Sequence, residues 1–434
     1  MAAIKLADAA RPNRVVDELP AARCSLRLAV VTETYPPEVN GVAMTVARLV
    51  QGLRERGHDL QLVRPRQQVG EQANADGKLH EVLVRGLPIP RYRQLKMGLP
   101  AKRELVERWT RRRPDLVHIA TEGPLGWSAL QAATVLKLPV TSDFRTNFHA
   151  YSRHYGIAWL HQPIMAYLRK FHNRTQCTMV PTAALQRELL GMGFLNLAVV
   201  ARGVDSQRFT PDWRSAALRA SWGAGPGTWV VACVGRLAPE KNLGLLITAF
   251  EAMRRVRPDS LLLLVGDGPA RAELQARCPQ AVFAGMRTGD DLAAHYASAD
   301  AFVFPSVTET FGNVTPEAMA SGLPVLAFDY AAASQLICHG TNGLLAPLGD
   351  EEAFVIQAGQ LATDRAQAAV MGGLARATAQ SQQWSRVIGE VEQHMVDAQS
   401  KAAQQRAQQH STYPADFDSA VGLSQPVKSW RCTS

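Results

Sequence analysis

The apolar run Leu26 to Val31 predicts a short buried strand, and a loop rich in Pro, Asn and Gly follows it, Tyr35-Pro36-Pro37-Glu38-Val39-Asn40-Gly41. Val42, Val46, Leu49, Val50 and Leu53 then share one helical face that ends at Gly57, and Leu60 to Val63 is the next strand. Strand, loop, helix and strand in that order open a doubly wound α/β fold. Further strands are predicted at Val82–Val84, Leu116–Ile119, Val140–Ser142, Thr178–Val180 and Ala198–Val200, with helical segments between most of them. The rhythm restarts after residue 209. Trp229 to Val234 reads as a strand, Gly235 to Asn242 as a loop and Leu243 to Val256 as a helix. Leu261 to Val265 is a strand before the turn Gly266-Asp267-Gly268-Pro269, and shorter strands follow at Ala281–Phe283, Ala301–Phe304, Pro324–Ala327 and Gly343–Ala346.

Two α/β domains therefore meet near Phe209-Thr210-Pro211. Residues 1–25 read as a loose leader, 26–208 as the first domain and 209–383 as the second. The chain from about residue 400 to 434 is rich in Gln, Ser and Ala without an apolar period, and is expected to be mostly disordered. With about 150 residues per domain, 434 residues accommodate both. Facing domains of similar size leave a cleft. Doubly wound domains bind ligands at the carboxyl ends of their strands, which singles out loops 32–41, 143–151, 235–242 and 305–317.

Composition narrows the classes. Apolar residues make up 47% and charged residues 20%, which excludes disorder of the whole chain. The cysteines stand at 24, 177, 233, 278, 338 and 432 with no C-x-x-C pair, which argues against a disulfide scaffold and for reduced thiols in a cytosolic setting. The longest aliphatic run, Leu261 to Val265, falls far short of the ~20 residues of a membrane span. No apolar stretch marks the first 25 residues, so a secretory signal is not expected. The net charge of +9 is uneven. Residues 1–208 hold 30 Lys/Arg against 17 Asp/Glu (+13), and residues 209–434 hold 17 against 21 (−4). Such asymmetry points to an anionic partner, whether nucleic acid, an anionic membrane surface or a phosphorylated substrate.

Four loops carry candidate chemistry. Pro305 to Glu317 joins a strand to a helix expected over Ala318–Ser321, with Thr315 as its cap and Pro316 in its first turn. Amides at such a helix start suit an anion, and Gly312 permits close backbone approach. Glu309 and Glu317 suit sugar or ribose hydroxyls, unless Glu317 only complements the helix dipole and Glu309 is solvated. In Gly235 to Asn242, Arg236 and Lys241 suit a pyrophosphate; the plainer alternative is a solvated loop in which Lys241 balances Glu240. Gly41 can sit beneath a phosphate, although turns also use Pro, Asn and Gly for their own geometry. In Asp143 to Tyr151, polar and aromatic residues alternate after a strand, and a substrate role falls to Arg145, Asn147 or His149. Gly266-Asp267-Gly268-Pro269 lacks a third glycine and reads as a plain turn. No catalytic Ser-His-Asp pattern and no His-rich metal spacing appear.

Taken together, GRLAPEKN, VGDGP, FPSVTETFGNVTPEAMASGLPV and NGLL resemble the C-terminal half of family-four retaining glycosyltransferases. TETYPPEVNGVAMTV and DFRTNFHAYSRHYG resemble the N-terminal half of its lipid-directed bacterial branch, which includes GDP-mannose-dependent α-mannosyltransferases and sulfoquinovosyl-diacylglycerol synthases. The likeness runs over roughly residues 26–395 and implies the GT-B fold, two Rossmann-like domains around a cleft, with a last helix over 384–399 crossing back to the first domain. By resemblance, Arg236 and Lys241 neutralise the donor diphosphate, and Gly41 approaches it from the other domain. Glu309 meets the donor sugar, Phe311, Gly312, Asn313 and Val314 line the sugar-phosphate pocket, and Glu317 holds the ribose. Many relatives carry His-Thr where this chain has Arg145-Thr146, so Arg145, His149 and Glu309 are the catalytic candidates.

The implied reaction moves a hexose from a nucleotide-diphosphate sugar to a lipid or glycolipid hydroxyl at a membrane surface. GDP-mannose is the first choice of donor, UDP-glucose or UDP-sulfoquinovose the second. A retaining double displacement needs a carboxylate nucleophile, and none is clearly supplied by the N-terminal loops. Front-face attack is therefore expected, with cations and amides stabilising the leaving group, no cofactor and no metal. A dehydrogenase would need G-x-G-x-x-G and a following acid, which the loops lack. Arg91 to Arg113 holds nine Lys/Arg against two Asp/Glu, with Tyr92 and Trp109 interleaved, and is expected to face an anionic membrane. Nucleic acid is not expected, since no recognised binding motif is present. A cytoplasmic enzyme, peripheral on the inner face of the cell membrane, is the resulting picture.

Overall fold

The computed structural model describes residues 25–38, 40–68, 70–89, 92–145 and 161–411. The first sheet contains β1 (Arg27–Val31), β2 (Asp59–Pro65), β3 (Ala75–Asp76) and β4 (Leu79–Val84). A separate hairpin, β5 (Gly86–Ile89) and β6 (Tyr92–Gly98), interrupts it before β7 (Leu116–Ile119), β8 (Val140–Asp143), β9 (Cys177–Val180) and β10 (Leu197–Val199). The strand order is β10-β9-β8-β7-β1-β2-β4-β3, parallel throughout except for the antiparallel edge pair β3–β4. The second sheet contains β11 (Trp229–Val234), β12 (Ser260–Val265), β13 (Val282–Gly285), β14 (Ala301–Phe304), β15 (Val325–Phe328) and β16 (Gly343–Ala346). Its order is β13-β12-β11-β14-β15-β16, all parallel. Central strands read as unbroken apolar runs because helices cover both sheet faces. β11 and β14 are buried at every position.

Side-chain alternation builds the first domain's core on two faces. Leu28 and Val30 join Val46, Leu49 and Leu53 of the helix Gly41–Glu55, while Ala29 and Val31 join Leu105, Trp109 and Leu125 on the other face. Strand order reverses beside β1 in the first sheet and beside β11 in the second, and crevices open at such points. The loops that leave β1, β7, β11 and β14 therefore converge.

Several expectations need correction. The last helix, Trp384–Ser411, runs twelve residues beyond Gln399, into the stretch read as disordered. Residues 400–411 lack an apolar period but are rich in Ala, Gln, Lys and Arg, which extend a helix once it is nucleated. Residues 1–24 and 412–434, including most of the expected leader, lie outside the described residues. Val387, Ile388, Val391 and Met395 of this helix are buried in the first domain's core. A Cβ on Gly52 would stand 2.1 Å from Ile388 Cδ1, so a larger residue there would have to displace the Ile388 side chain. Glu392 accepts hydrogen bonds from Arg56 at 2.5 Å and His58 at 2.8 Å. Val204 belongs to the second domain's core, ahead of the boundary expected at residue 209. The β5–β6 hairpin was not anticipated. Pro88 within its first strand argues against a strand in the sequence, and carboxylates from outside the ribbon satisfy its edge: Glu33 accepts from the Gly98 amide at 2.5 Å, and Glu38 from the Lys96 amide at 3.3 Å.

Candidate active site

A cleft of roughly 690 Å³ lies between the two domains. On the second domain's side, β11 ends at Val234 and the chain turns through Gly235 (φ +148°) into a short helical turn, Pro239–Lys241. Lys241 lines the cleft, forms an ion pair with Glu309 and sits 5.6 Å from the Phe304 ring centroid. Glu309 also accepts a hydrogen bond from Ser306 Oγ at 2.7 Å. The ion pair that Lys241 makes across the two loops is thus with Glu309, where the plainer alternative had Glu240. Glu240 is buried and pairs with Arg236 at 3.2 Å, and Arg236 stands outside the cleft lining.

Gly312 adopts φ +89°, a left-handed conformation that suits glycine, and hands the chain to the helix Val314–Ala320. This helix begins earlier than expected. Asn313 is already αR, so Thr315 and Pro316 lie inside the first turn, where a missing amide costs little. Phe311, Gly312, Asn313 and Val314 all line the cleft. Glu317, one turn onward, is absent from its lining and instead accepts from Tyr296 Oη at 3.0 Å. Burial pushes the Glu317 carboxyl up to about 7.

Gly41 opens the facing helix, capped by Asn40, whose Oδ1 accepts from the Ala43 amide at 2.8 Å. A Cβ added at Gly41 would stand 3.7 Å from Asn313 Nδ2 of the other domain, so the two loops oppose one another across the cleft. Beyond β8, Arg145 lines the cleft and forms a buried ion pair with Asp143. His118 Nε2 approaches the same carboxylate at 3.2 Å. Although burial opposes it, the charge of Arg145 holds Asp143 well below the usual carboxylate range. Arg145 Nε is buried with no hydrogen-bond partner among the described residues. His149 and Asn147 lie outside the described residues.

Sequence reasoning missed Arg202. It follows β10, lines the cleft and is buried. Burial and the neighbouring Arg145 push its guanidinium down to about 9. Its place at the carboxyl end of a strand was the available signal. The N-terminal loops do bring carboxylates to the cleft, Glu33, Glu38 and Glu122. Glu33 is held by the Gly98 and Leu125 amides, and Glu38 by Thr34, Gln67 and the Lys96 amide. Glu122 is buried 3.5 Å from His172 Nε2, and its Oε1 makes no hydrogen bond among the described residues. These acids come from loops following β1 and β7, the second of which was not singled out. Arg145, Arg202, Lys96 and Lys241 line the same cleft as Glu33, Glu38, Glu122 and Glu309, so its walls are mixed in charge, and the guanidiniums are the groups suited to an anion's oxygens.

Residues 39–208 match the family described as Glycosyltransferase Family 4, and residues 228–364 match Glycosyl transferases group 1. A GDP-mannose-dependent alpha-mannosyltransferase of Mycobacterium tuberculosis is 38% identical over 76% of this chain and 86% of its own length. The chain is a family-four glycosyltransferase. The sulfoquinovosyl transferase SQD2 of Arabidopsis thaliana is 31% identical to the enzyme, over 82% of this chain and 71% of its own length. Among solved structures, a sucrose-phosphate synthase from Thermosynechococcus elongatus superposes with a TM-score of 0.68 at 19% identity, over 87% of this chain and all of its own. Anabaena HepE, in complex with UDP and glucose, superposes with a TM-score of 0.66 at 20% identity, over 86% and 99%. These likenesses identify the enzyme's fold as GT-B. Among the described residues, no group of three or more His, Cys, Asp or Glu is placed to hold a metal ion, and no helix is long and apolar enough to cross a membrane.

Proposed function

We propose that the enzyme transfers an α-mannosyl residue from GDP-mannose to a hydroxyl of a lipid or glycolipid, working on the cytoplasmic face of an anionic membrane. The observation that carries the donor class is the buried Nε of Arg145, without a partner among the described residues, beside Arg202 and facing Lys241 across the cleft. A diphosphate supplies the acceptor oxygens these donors need. The choice of GDP-mannose draws on the relatives so named, at 38%, 33% and 36% identity. SQD2 favours a second reading, in which the donor is UDP-sulfoquinovose or UDP-glucose. A donor panel separates the two. GDP-mannose should give the largest thermal shift and the fastest donor hydrolysis; a larger response to either UDP-sugar replaces the first reading with the second.

Glu309 then orders the donor sugar, Phe311 to Val314 hold the sugar-phosphate, and Glu317 reaches the ribose through its ionised form. Arg236 enters the diphosphate clamp only if it leaves Glu240. Transfer proceeds at the front face: the departing diphosphate takes the acceptor proton, while Arg145, Arg202 and Lys241 stabilise its charge. The carboxylates of Glu33 and Glu38 are engaged with amides and side chains, which leaves Glu122 as the acid to test for a double displacement. The product should keep the α configuration by NMR, and EDTA should leave the rate unchanged. An inverted product would refute this mechanism.

A further inference from the structure

A second hollow of roughly 540 Å³ involves strand β4, the β5–β6 hairpin and the helix Lys102–Arg111. Its walls place Arg66, Arg85 and Lys96 beside Leu83, Leu87 and Leu99. Lys96 lines the main cleft as well, so the two spaces meet at that residue. Glu104 and Arg108 also line the hollow and pair with each other at 3.0 Å, while Glu71 and Glu81 bind Arg64 at 2.7 and 3.2 Å, so Arg66, Arg85 and Lys96 leave the hollow positive. Arg66 and Arg85 are exposed, and neither forms an ion pair with a carboxylate among the described residues. Leu87 is 53% exposed, and Met97, its partner across the hairpin, is 38% exposed. Guanidinium forks bind phosphate oxygens in pairs, and exposed leucines beside them suit acyl chains.

We propose that this hollow binds the phosphate headgroup of an anionic bilayer lipid and holds the mouth of the cleft against the membrane. The inference rests on the membrane-surface reading above and assigns it to particular residues. The helix Lys102–Arg111 is a weaker candidate for the same role, because its Arg108 and Arg111 already pair with Glu104 and Glu107, and its Trp109 is wholly buried. A phosphate in the hollow also meets Lys96, which ties occupancy to the wall of the active site.

The test is sedimentation of the full chain with vesicles of phosphatidylcholine alone or with 30% phosphatidylglycerol by composition, near physiological salt. Each Lys or Arg at an anionic surface contributes about 1 kcal/mol, about fivefold in affinity. Arg66→Ala with Arg85→Ala should therefore weaken phosphatidylglycerol-dependent binding about thirtyfold. Lys102→Ala with Arg103→Ala removes equal charge outside the hollow and should weaken it at least threefold less. Both double variants should melt with the parent. Equal losses in the two would overturn the hollow and leave the membrane reading standing. No binding of the parent to anionic vesicles would overturn both. Free glycerol phosphate serves as a competitor: displacement from vesicles only at millimolar concentration supports a bilayer headgroup, while tight binding of the soluble phosphate overturns the lipid assignment.

Discussion

The two walls of the cleft are built differently. On the second domain's side, Lys241, Glu309 and Phe311 to Val314 come from two loops flanking neighbouring strands, β11 and β14, so short contiguous segments assemble the surface. On the first domain's side, Glu33, Lys96, Glu122, Arg145 and Arg202 come from five separate places in the chain. The compact wall offers one ion pair to a donor. The dispersed wall offers two guanidiniums sharing one acid, Asp143, and three carboxylates that anchor neighbouring backbone or stand buried. One wall is specialised by motif, the other by convergence.

The contrast is broken most severely at Lys241. Lys241→Ala should weaken binding of the nucleotide-diphosphate sugar by about 2–5 kcal/mol, measured by calorimetry, because it also leaves Glu309 without its cation. Next in size is Arg145→Ala, which should lower kcat and kcat/KM together by about 100-fold if it stabilises charge developing on the leaving group. A raised acceptor KM with kcat kept would move Arg145 to acceptor binding, and a fully active variant would pass the role to His149. Smaller still is Glu122→Gln. Front-face attack predicts that kcat falls less than about tenfold; a loss of several thousandfold with an accumulating glycosyl-enzyme would establish a nucleophile.

The smallest expected effect lies at Glu317 and is best seen as pH dependence. Its folded carboxyl titrates at about 7, above its ordinary value of 4.5. The folded state therefore holds a proton that the unfolded state releases. That stability is fully present below about pH 4.5 and is lost as pH rises through 7. Glu317→Gln mimics the neutral form and should lack this loss. Its melting temperature, relative to the parent, should rise by a few degrees between pH 5 and 8. Nucleotide binding by the parent should strengthen over the same interval as the carboxylate becomes available to ribose hydroxyls.

Most of the fold was legible because parallel strands buried on both faces are written as apolar runs, as at Trp229–Val234 and Ala301–Phe304. Lys241, Glu309 and Gly312 were legible because local motifs set them at strand ends. Arg202 was not, since one arginine after a weak strand carries no pattern until Asp143 and Arg145 fold against it. For Arg236 the sequence left two readings, diphosphate cation or solvated loop residue, and its pairing with the buried Glu240 could not be read from a loop cation beside an acid. The hairpin escaped notice because Glu33 and Glu38, rather than an apolar face of its own, secure its edge.

The crossing helix has a consequence for biosynthesis. Val387, Ile388, Val391, Met395 and Ala398 complete a core whose other buried members lie between Leu26 and Val200. As the chain leaves the ribosome, the first of the two domains must wait for residues that follow the second, with the whole second domain emerging in between. During that interval Leu49, Leu53 and Gly52 present an open apolar face. Early termination before residue 384 would thus yield a complete second domain joined to a first one still lacking its cover.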